Sequence, residues 1–236
     1  MNMEIKIAIA KMDKHGGSNS GDTVEVTERP NGGISIVMTD GKIDNRGSKA
    51  ISNLVAHRVI DQISQGMRDG ASIRTAARSI FTEHHGRIQA NLNVLSVDLQ
   101  TDTIIISRNN PIPVFLITEE RADCLSTESK PIGTDEEPTS SIVEIPIKPD
   151  MTVLIFSDGI YHAGMHDEAT MDICTIIETL FEEQEPTARE LADFLLNRAI
   201  RLDNGQPQDD MSIIVLMVSF HPIDAIRRMH ISMPLA

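Results

Sequence analysis

Tryptophan is absent from the 236-residue chain, tyrosine occurs once, and aromatic side chains make up 3% of it. Base-stacking platforms and aromatic cages need more of them, which argues against single-stranded nucleic acid and quaternary ammonium ligands. Cysteine is scarce as well. Cys124 and Cys174 stand far apart and offer no redox or zinc spacing. Both are expected to be buried thiols in a reducing compartment. Long apolar runs are missing, and the longest, such as 213–218, is too short to span a bilayer. Lys6 and Lys11 interrupt the first segment, which lacks the apolar centre of a signal peptide. A cytoplasmic location without membrane contact is the expectation. Positive charge is the last deficit: 21 Lys and Arg against 35 Asp and Glu leave a net charge of −14. That opposes nucleic-acid phosphate and polybasic membrane contacts, and it favours cationic partners, divalent metals above all.

What is present suits an ordinary globular protein, with 40% hydrophobic and 24% charged residues. A chain of this length buries a core without disulfides. The reading is one domain over 1–220 and a short tail over 221–236. Residues 3–12 alternate like a strand. Val24 and Val26 alternate with polar neighbours, Asn31-Gly32 marks a hairpin, and Ile34, Ile36 and Met38 share a face on the return strand. Ile51, Leu54, Val55, Val59, Ile63 and Met67 fall at helical spacing, with Gly66, Asp69 and Gly70 as the stop. A second helix carries Ile73, Ala76, Ala77, Ile80 and Phe81, with Gly86 suited to its αL end. Strands are predicted at 92–98, 103–107, 113–118, 122–126, 141–146 and 152–156. Two further helices follow, the second opened by a Thr187/Glu190 capping box, and a strand over 211–219 closes the core. Short links and paired helices point to an α+β fold with antiparallel sheets. The twelve methionines are expected to fill core gaps.

Aspartates stand at the strand ends. Asp22 opens one strand and Asp40 closes the next, and a register in which paired numbers sum to about 63 sets Asp22 opposite Gly41. Asp158 closes the 152–156 strand, and Asp209-Asp210 opens the last one. If those two are antiparallel neighbours, their carboxylates share an edge. Clustered carboxylates repel and raise one another's pKa unless a cation neutralises them. Hard oxygen donors suit Mg²⁺ or Mn²⁺. The glycines after Asp40 and Asp158 would let the backbone turn sharply beside an ion.

These blocks resemble the metal-dependent protein phosphatase superfamily of the protein phosphatase 2C type, nearest its SpoIIE-like bacterial branch. The similarity runs from about Gly21 to Ser219. It is carried by Gly21-Asp22, by Thr39-Asp40-Gly41 with the helix after it, by 91–98 and 107–111, by Phe156-Ser157-Asp158-Gly159, and by Gln208-Asp209-Asp210-Met211-Ser212. The resemblance implies an αββα sandwich of two antiparallel β-sheets flanked by helix pairs. It implies hydrolysis of phosphoserine or phosphothreonine by a metal-bridging water with two Mn²⁺ or Mg²⁺ ions. Asp40 would bridge the ions and the Gly41 carbonyl would bind one. Asp22 would hold that side, and Asp158 and Asp209 the other, with Asp209 favoured over Asp210. No protein nucleophile is needed. The implied substrate is a phosphorylated regulatory protein, such as a STAS-type anti-sigma antagonist or a stress-complex component.

The stretch Lys42-Ile43-Asp44-Asn45-Arg46-Gly47 departs from the family pattern, with Asn45 where Gly is usual. Lys42 and Arg46 read either as solvated side chains or as contacts for substrate phosphate. The same departure motivates an alternative, a weakly catalytic or non-catalytic binding module with this fold. His162 is the best candidate for a proton donor to a leaving oxygen, weighed against a purely structural role. His57, His84 and His85 read as helix-surface and helix-end residues.

Overall fold

Period-two alternation gives each central strand two buried faces, and in the computed structural model these faces become separate seams of a four-layer sandwich. Residues 3–16, 21–44, 46–118, 121–165, 171–220 and 226–234 are described. The elements are β1 (Met3–Met12), β2 (Asp22–Glu28), β3 (Ile34–Ile43), β4 (Arg46–Gly47), α1 (Lys49–Ser64), α2 (Asp69–His84), β5 (Ile88–Asp98), β6 (Thr103–Asn109), β7 (Val114–Ile117), β8 (Ala122–Leu125), β9 (Ser141–Pro146), β10 (Thr152–Phe156), α3 (Asp158–Tyr161), α4 (Ile173–Glu183), α5 (Ala188–Leu202) and β11 (Met211–Phe220). One sheet runs β1-β11-β10-β7-β8 and the other β2-β3-β5-β6-β9, with β4 paired to β3. The pairings described are antiparallel, as expected of the α+β class.

Ile36, Met38, Leu95 and Val97 of one sheet meet Val153, Ile155, Ile214 and Leu216 of the other. The opposite faces carry Val37, Leu92 and Val94 under α1 and α2. Leu154, Phe156, Ile213 and Val215 lie under α4 and α5. This is why β10 and the centre of β11 read as unbroken apolar runs: each is covered on both sides. The Thr187/Glu190 capping box forms as predicted.

Several expectations are corrected. The β2–β3 register pairs Asp22 with Asp40, a sum of 62, because the loop is Pro30-Asn31-Gly32 closed by Arg29 and Gly33. Gly32 takes the positive φ of a three-residue hairpin, +90°. Asp69 and Gly70 do not end α1 but begin α2, and β5 starts at Ile88, ahead of the predicted 92. The short helix α3 was not foreseen. Cys124 is exposed on edge strand β8 and Cys174 is half-buried, so neither is a buried thiol. Of the methionines, Met38, Met151, Met171 and Met211 are buried, whereas Met3, Met12, Met165, Met229 and Met233 are exposed. Asn45 lies outside the described residues. Arg227 of the tail donates to the Gly32 carbonyl oxygen at 2.6 Å and lies 3.7 Å from Glu28, resting on the β2–β3 hairpin.

Candidate active site

Four strand ends from both sheets meet at one edge of the central seam. On β3 the seam face reads Ile36, Met38, Asp40, so the alternation that builds the core delivers a carboxylate where the pairing with β2 stops; β3 itself runs on to Ile43, so Asp40 does not close the strand as expected. Asp22 on β2 sits directly opposite Asp40 and therefore points the same way. On β5, Asn91 and Asn93 pair with Asp40 and Met38 and continue the face of Leu95 and Val97. Asp158 follows β10 from the facing sheet. A small pocket there is lined by Asp22, Met38, Thr39, Asp40, Asn91, Asn93, Asn110, Ser157 and Asp158.

The two Asp-Gly steps hold this edge together through close backbone approach, not through the sharp turns expected of them. A Cβ on Gly41 would stand 2.7 Å from Ile51 Cγ2 and from the Ser52 amide nitrogen. The Gly41 amide donates to Ser52 Oγ at 2.8 Å, and its carbonyl accepts the Ser48 amide at 2.8 Å. The start of α1 thus takes up the hydrogen bonds of β3 past Asp40, where β2, which begins at Asp22, offers no partner. That carbonyl keeps one lone pair for a further partner.

Asp209 is exposed at the rim, and its carboxylate accepts the Asp210 amide at 2.9 Å. Asp210 is buried and faces the other way, accepting the amides of Lys14 at 3.0 Å and Gly21 at 2.6 Å. It ties the start of β11 to the loop before β2. His162 is exposed, with Nδ1 3.0 Å from the Met165 sulfur, and does not line the pocket. His57 and His85 are exposed on and after the helices. Arg46 is exposed on β4.

Sequence reasoning missed the polar residues that brace these loops. Ser212 Oγ donates to Asp22 Oδ2 at 2.6 Å across the seam. Ser157 Oγ donates to the Asp210 carbonyl and accepts the Ser212 amide. Asp203 accepts the amides of Gly164 and Gln208, joining the segments that carry Asp158 and Asp209. Asn91 and Asn93 had a readable signal: they extend the Leu95/Val97 alternation with amides in place of apolar side chains.

Burial dominates the electrostatics. It pushes the Asp22 carboxyl up to about 7, against the hydrogen bond from Ser212. It pushes Asp40 up to about 6, with Asp158 adding repulsion and Lys42 opposing it. Asp158 is raised by burial first and by Asp209 second. An unfolded carboxyl titrates near 3.8, so each raised group favours the fold fully below that pH and loses the benefit as pH climbs through its folded pKa. The metal-stripped chain is therefore expected to lose several degrees of melting temperature between about pH 4 and about pH 8. Scanning calorimetry across that range checks it; a melting temperature that rises throughout would contradict the burial of these acids.

Asp40 Oδ2 and Asn93 Oδ1 are buried without a hydrogen-bond donor. Unsatisfied buried oxygens next to raised carboxyls are the donor set a hard divalent cation neutralises. Among the described residues no three such side chains already close into a metal cage. The fit lies in donor chemistry and placement: Asp22, Asp40 and Asp158 bring carboxylate oxygens to one pocket from both sheets.

Residues 57–219 match the sequence profile described as Stage II sporulation protein E (SpoIIE), which is more than half of the chain. The chain belongs to the SpoIIE family. The Stage II sporulation protein E of Priestia megaterium is 21% identical over 211 residues, covering 89% of this chain and 36% of that protein. That of Bacillus subtilis strain 168 is 22% identical over 215 residues, covering 91% and 26%. This SpoIIE-family chain thus spans roughly a quarter to a third of the length of those relatives. Its fold matches the phosphatase domain of the cell fate determinant SpoIIE from Bacillus subtilis, with a TM-score of 0.69, 21% identity and coverage of 99% and 98%. It also matches the catalytic domain of the serine/threonine protein phosphatase PstP in complex with two manganese ions, with a TM-score of 0.68, 16% identity and coverage of 93% and 100%. The architecture is that of the protein phosphatase 2C type. Among the described residues, no helix is long and apolar enough to cross a membrane.

Proposed function

We propose that this chain is a Mn²⁺- or Mg²⁺-dependent phosphatase of phosphoserine or phosphothreonine in a regulatory protein. The observation that carries the reading is the pocket: three carboxyls, two on β2 and β3 and one just after β10, raised by burial around an Asp40 oxygen whose contact with the Lys42 ammonium is an ion pair and not an aligned hydrogen bond. Family membership supports it. Asp40 would lie between two ions, with Asp22 and the Gly41 carbonyl on one side and Asp158 and Asp209 on the other. Such ions supply Lewis acidity and an activated water when bound.

The chain itself supplies position and field. Ser212 and the Lys11 contact to the Asp22 carbonyl oxygen fix Asp22. Ser157 sets the turn into Asp158. Asn91, Asn93 and Asn110 offer neutral amide dipoles beside the carboxylates, able to orient phosphate oxygens without adding charge. The partner we infer is a phosphorylated signalling protein, of the STAS anti-sigma-antagonist type or from a stress complex. One relative of the same fold is a cell fate determinant, which favours such a role.

The test is hydrolysis of p-nitrophenyl phosphate and of a phosphoserine peptide, with and without Mn²⁺, by the wild type and by Asp158→Asn. Mn²⁺-dependent release by the wild type is expected to fall about a hundredfold or more in the variant. The ammonium of Lys42 between Asp40 and Asp158 favours a second reading, a binding module with little catalysis. No release by the wild type, together with no calorimetric heat on adding Mn²⁺, would sink the enzyme and leave the module.

A further inference from the structure

The alternation that points Asp40 into the seam points Lys42 there too, two residues further along β3. Its ammonium lies 3.4 Å from Asp40 Oδ2 and 3.8 Å from Asp158 Oδ2. Asp40 lies on β3 of one sheet and Asp158 opens α3 just after β10 of the other, so one side-chain cation spans the gap that a divalent ion would span. The contact is an ion pair and not a full hydrogen bond, since Asp40 Oδ2 has no aligned donor. The other lysines nearby are committed elsewhere: Lys11 and Lys49 both donate to the Asp22 carbonyl oxygen. The Lys42 side chain is 36% exposed, so the ammonium has an open path to solvent.

We propose that Lys42 is the built-in counter-ion of the pocket, neutralising Asp40 and Asp158 in the metal-free chain and yielding its place when a divalent cation binds. This rests on the metal-binding reading of the pocket. The physical case is linkage. An interaction present only in the metal-free state stabilises that state, and metal affinity falls by the same factor. Lysine suits the task because its charge is compact and its stem has four flexible carbons; a planar guanidinium would lock to a carboxylate in two-point geometry. Residual repulsion adds to the effect, since a displaced ammonium stays on the same short tether. The device makes the chain stable without metal and sets the metal concentration at which it switches on.

Mn²⁺ titration calorimetry on the metal-stripped full chain tests this without reference to turnover. Lys42→Met is expected to bind Mn²⁺ about tenfold more tightly than the wild type, with Lys42→Gln following it and Lys42→Arg binding no more tightly than the wild type. In the same preparations, stripped Lys42→Met is expected to melt below stripped wild type, the gap closing at saturating Mn²⁺. Equal or weaker Mn²⁺ binding by the two neutral variants overturns the proposal while leaving the metal site standing. Heat from neither wild type nor variants overturns the metal reading of the pocket itself, and the counter-ion with it.

Discussion

Replacing Asp40 by Asn is expected to raise the melting temperature of the metal-stripped chain while cutting Mn²⁺-dependent turnover by roughly a thousandfold, about 4 kcal/mol of transition-state stabilisation. The two effects share one cause. In the folded chain the Asp40 carboxyl is buried opposite Asp22 and faces Asp158. Above about pH 6 its ionisation opposes folding, because its folded pKa lies above the unfolded value. Asparagine keeps the shape and removes that charge, so the neutral state favoured by burial becomes permanent. The lost contact to Lys42 works against the gain but is weaker, as that ammonium is partly solvated. A divalent ion needs the charge that the fold resists, so Mn²⁺ should no longer raise the melting temperature. Paired melting curves at about pH 8, with and without Mn²⁺, and a phosphate-release assay decide it. A variant that melts lower without metal, or that keeps full turnover, would show that Asp40 is a structural acid.

That pairing was legible in the sequence to within one residue, and the miss is instructive. Val24 and Val26 must share the seam with Ile36 and Met38; opposite residues of an antiparallel pair share a face, so these four even-numbered residues can do so only in a register whose paired numbers sum to an even value. The expected sum of 63 breaks that rule, whereas 62 satisfies it and brings Asp22 onto Asp40. The α+β class with antiparallel sheets was readable from element order and the Asp158 edge from strand ends once β10 and β11 are neighbours, whereas the two-sheet sandwich with its seams came from the family resemblance. The direction of Asp210 was not, because it depends on the amides of Lys14 and Gly21, far away in sequence. Ser157, Ser212 and Asp203 escaped for the same reason: a hydroxyl or carboxylate satisfying remote backbone groups leaves no local pattern. Lys42 is the intermediate case. Its face follows from counting in twos, but its contact with Asp158 requires the second sheet to be in place.

Gly159→Ala is expected to lower the melting temperature by roughly 10 °C and to weaken Mn²⁺ binding with it. The position has no unusual φ to defend; what it defends is distance. A Cβ there would stand 2.3 Å from the Asp210 carbonyl oxygen, 2.9 Å from its carbon and 3.2 Å from the Asp209 carbon. All three are backbone atoms, so no side chain can rotate away. Relief requires the segment after β10 to part from the segment before β11. That motion strains the bonds by which Ser157 Oγ donates to the Asp210 carbonyl and accepts the Ser212 amide, and it shifts Asp158 relative to Asp209. Overpacking against backbone costs about 3 kcal/mol at the upper end of the usual range, and a chain of this size loses a few degrees per kcal/mol. Gly47→Ala is the control, since a Cβ there meets nothing within 4 Å and Gly47 sits on exposed β4. Melting curves and Mn²⁺ calorimetry on both variants separate the outcomes. If Gly159→Ala melts with the wild type, the two acidic loops are not packed as described, and the placement of Asp158 beside Asp209 loses its support.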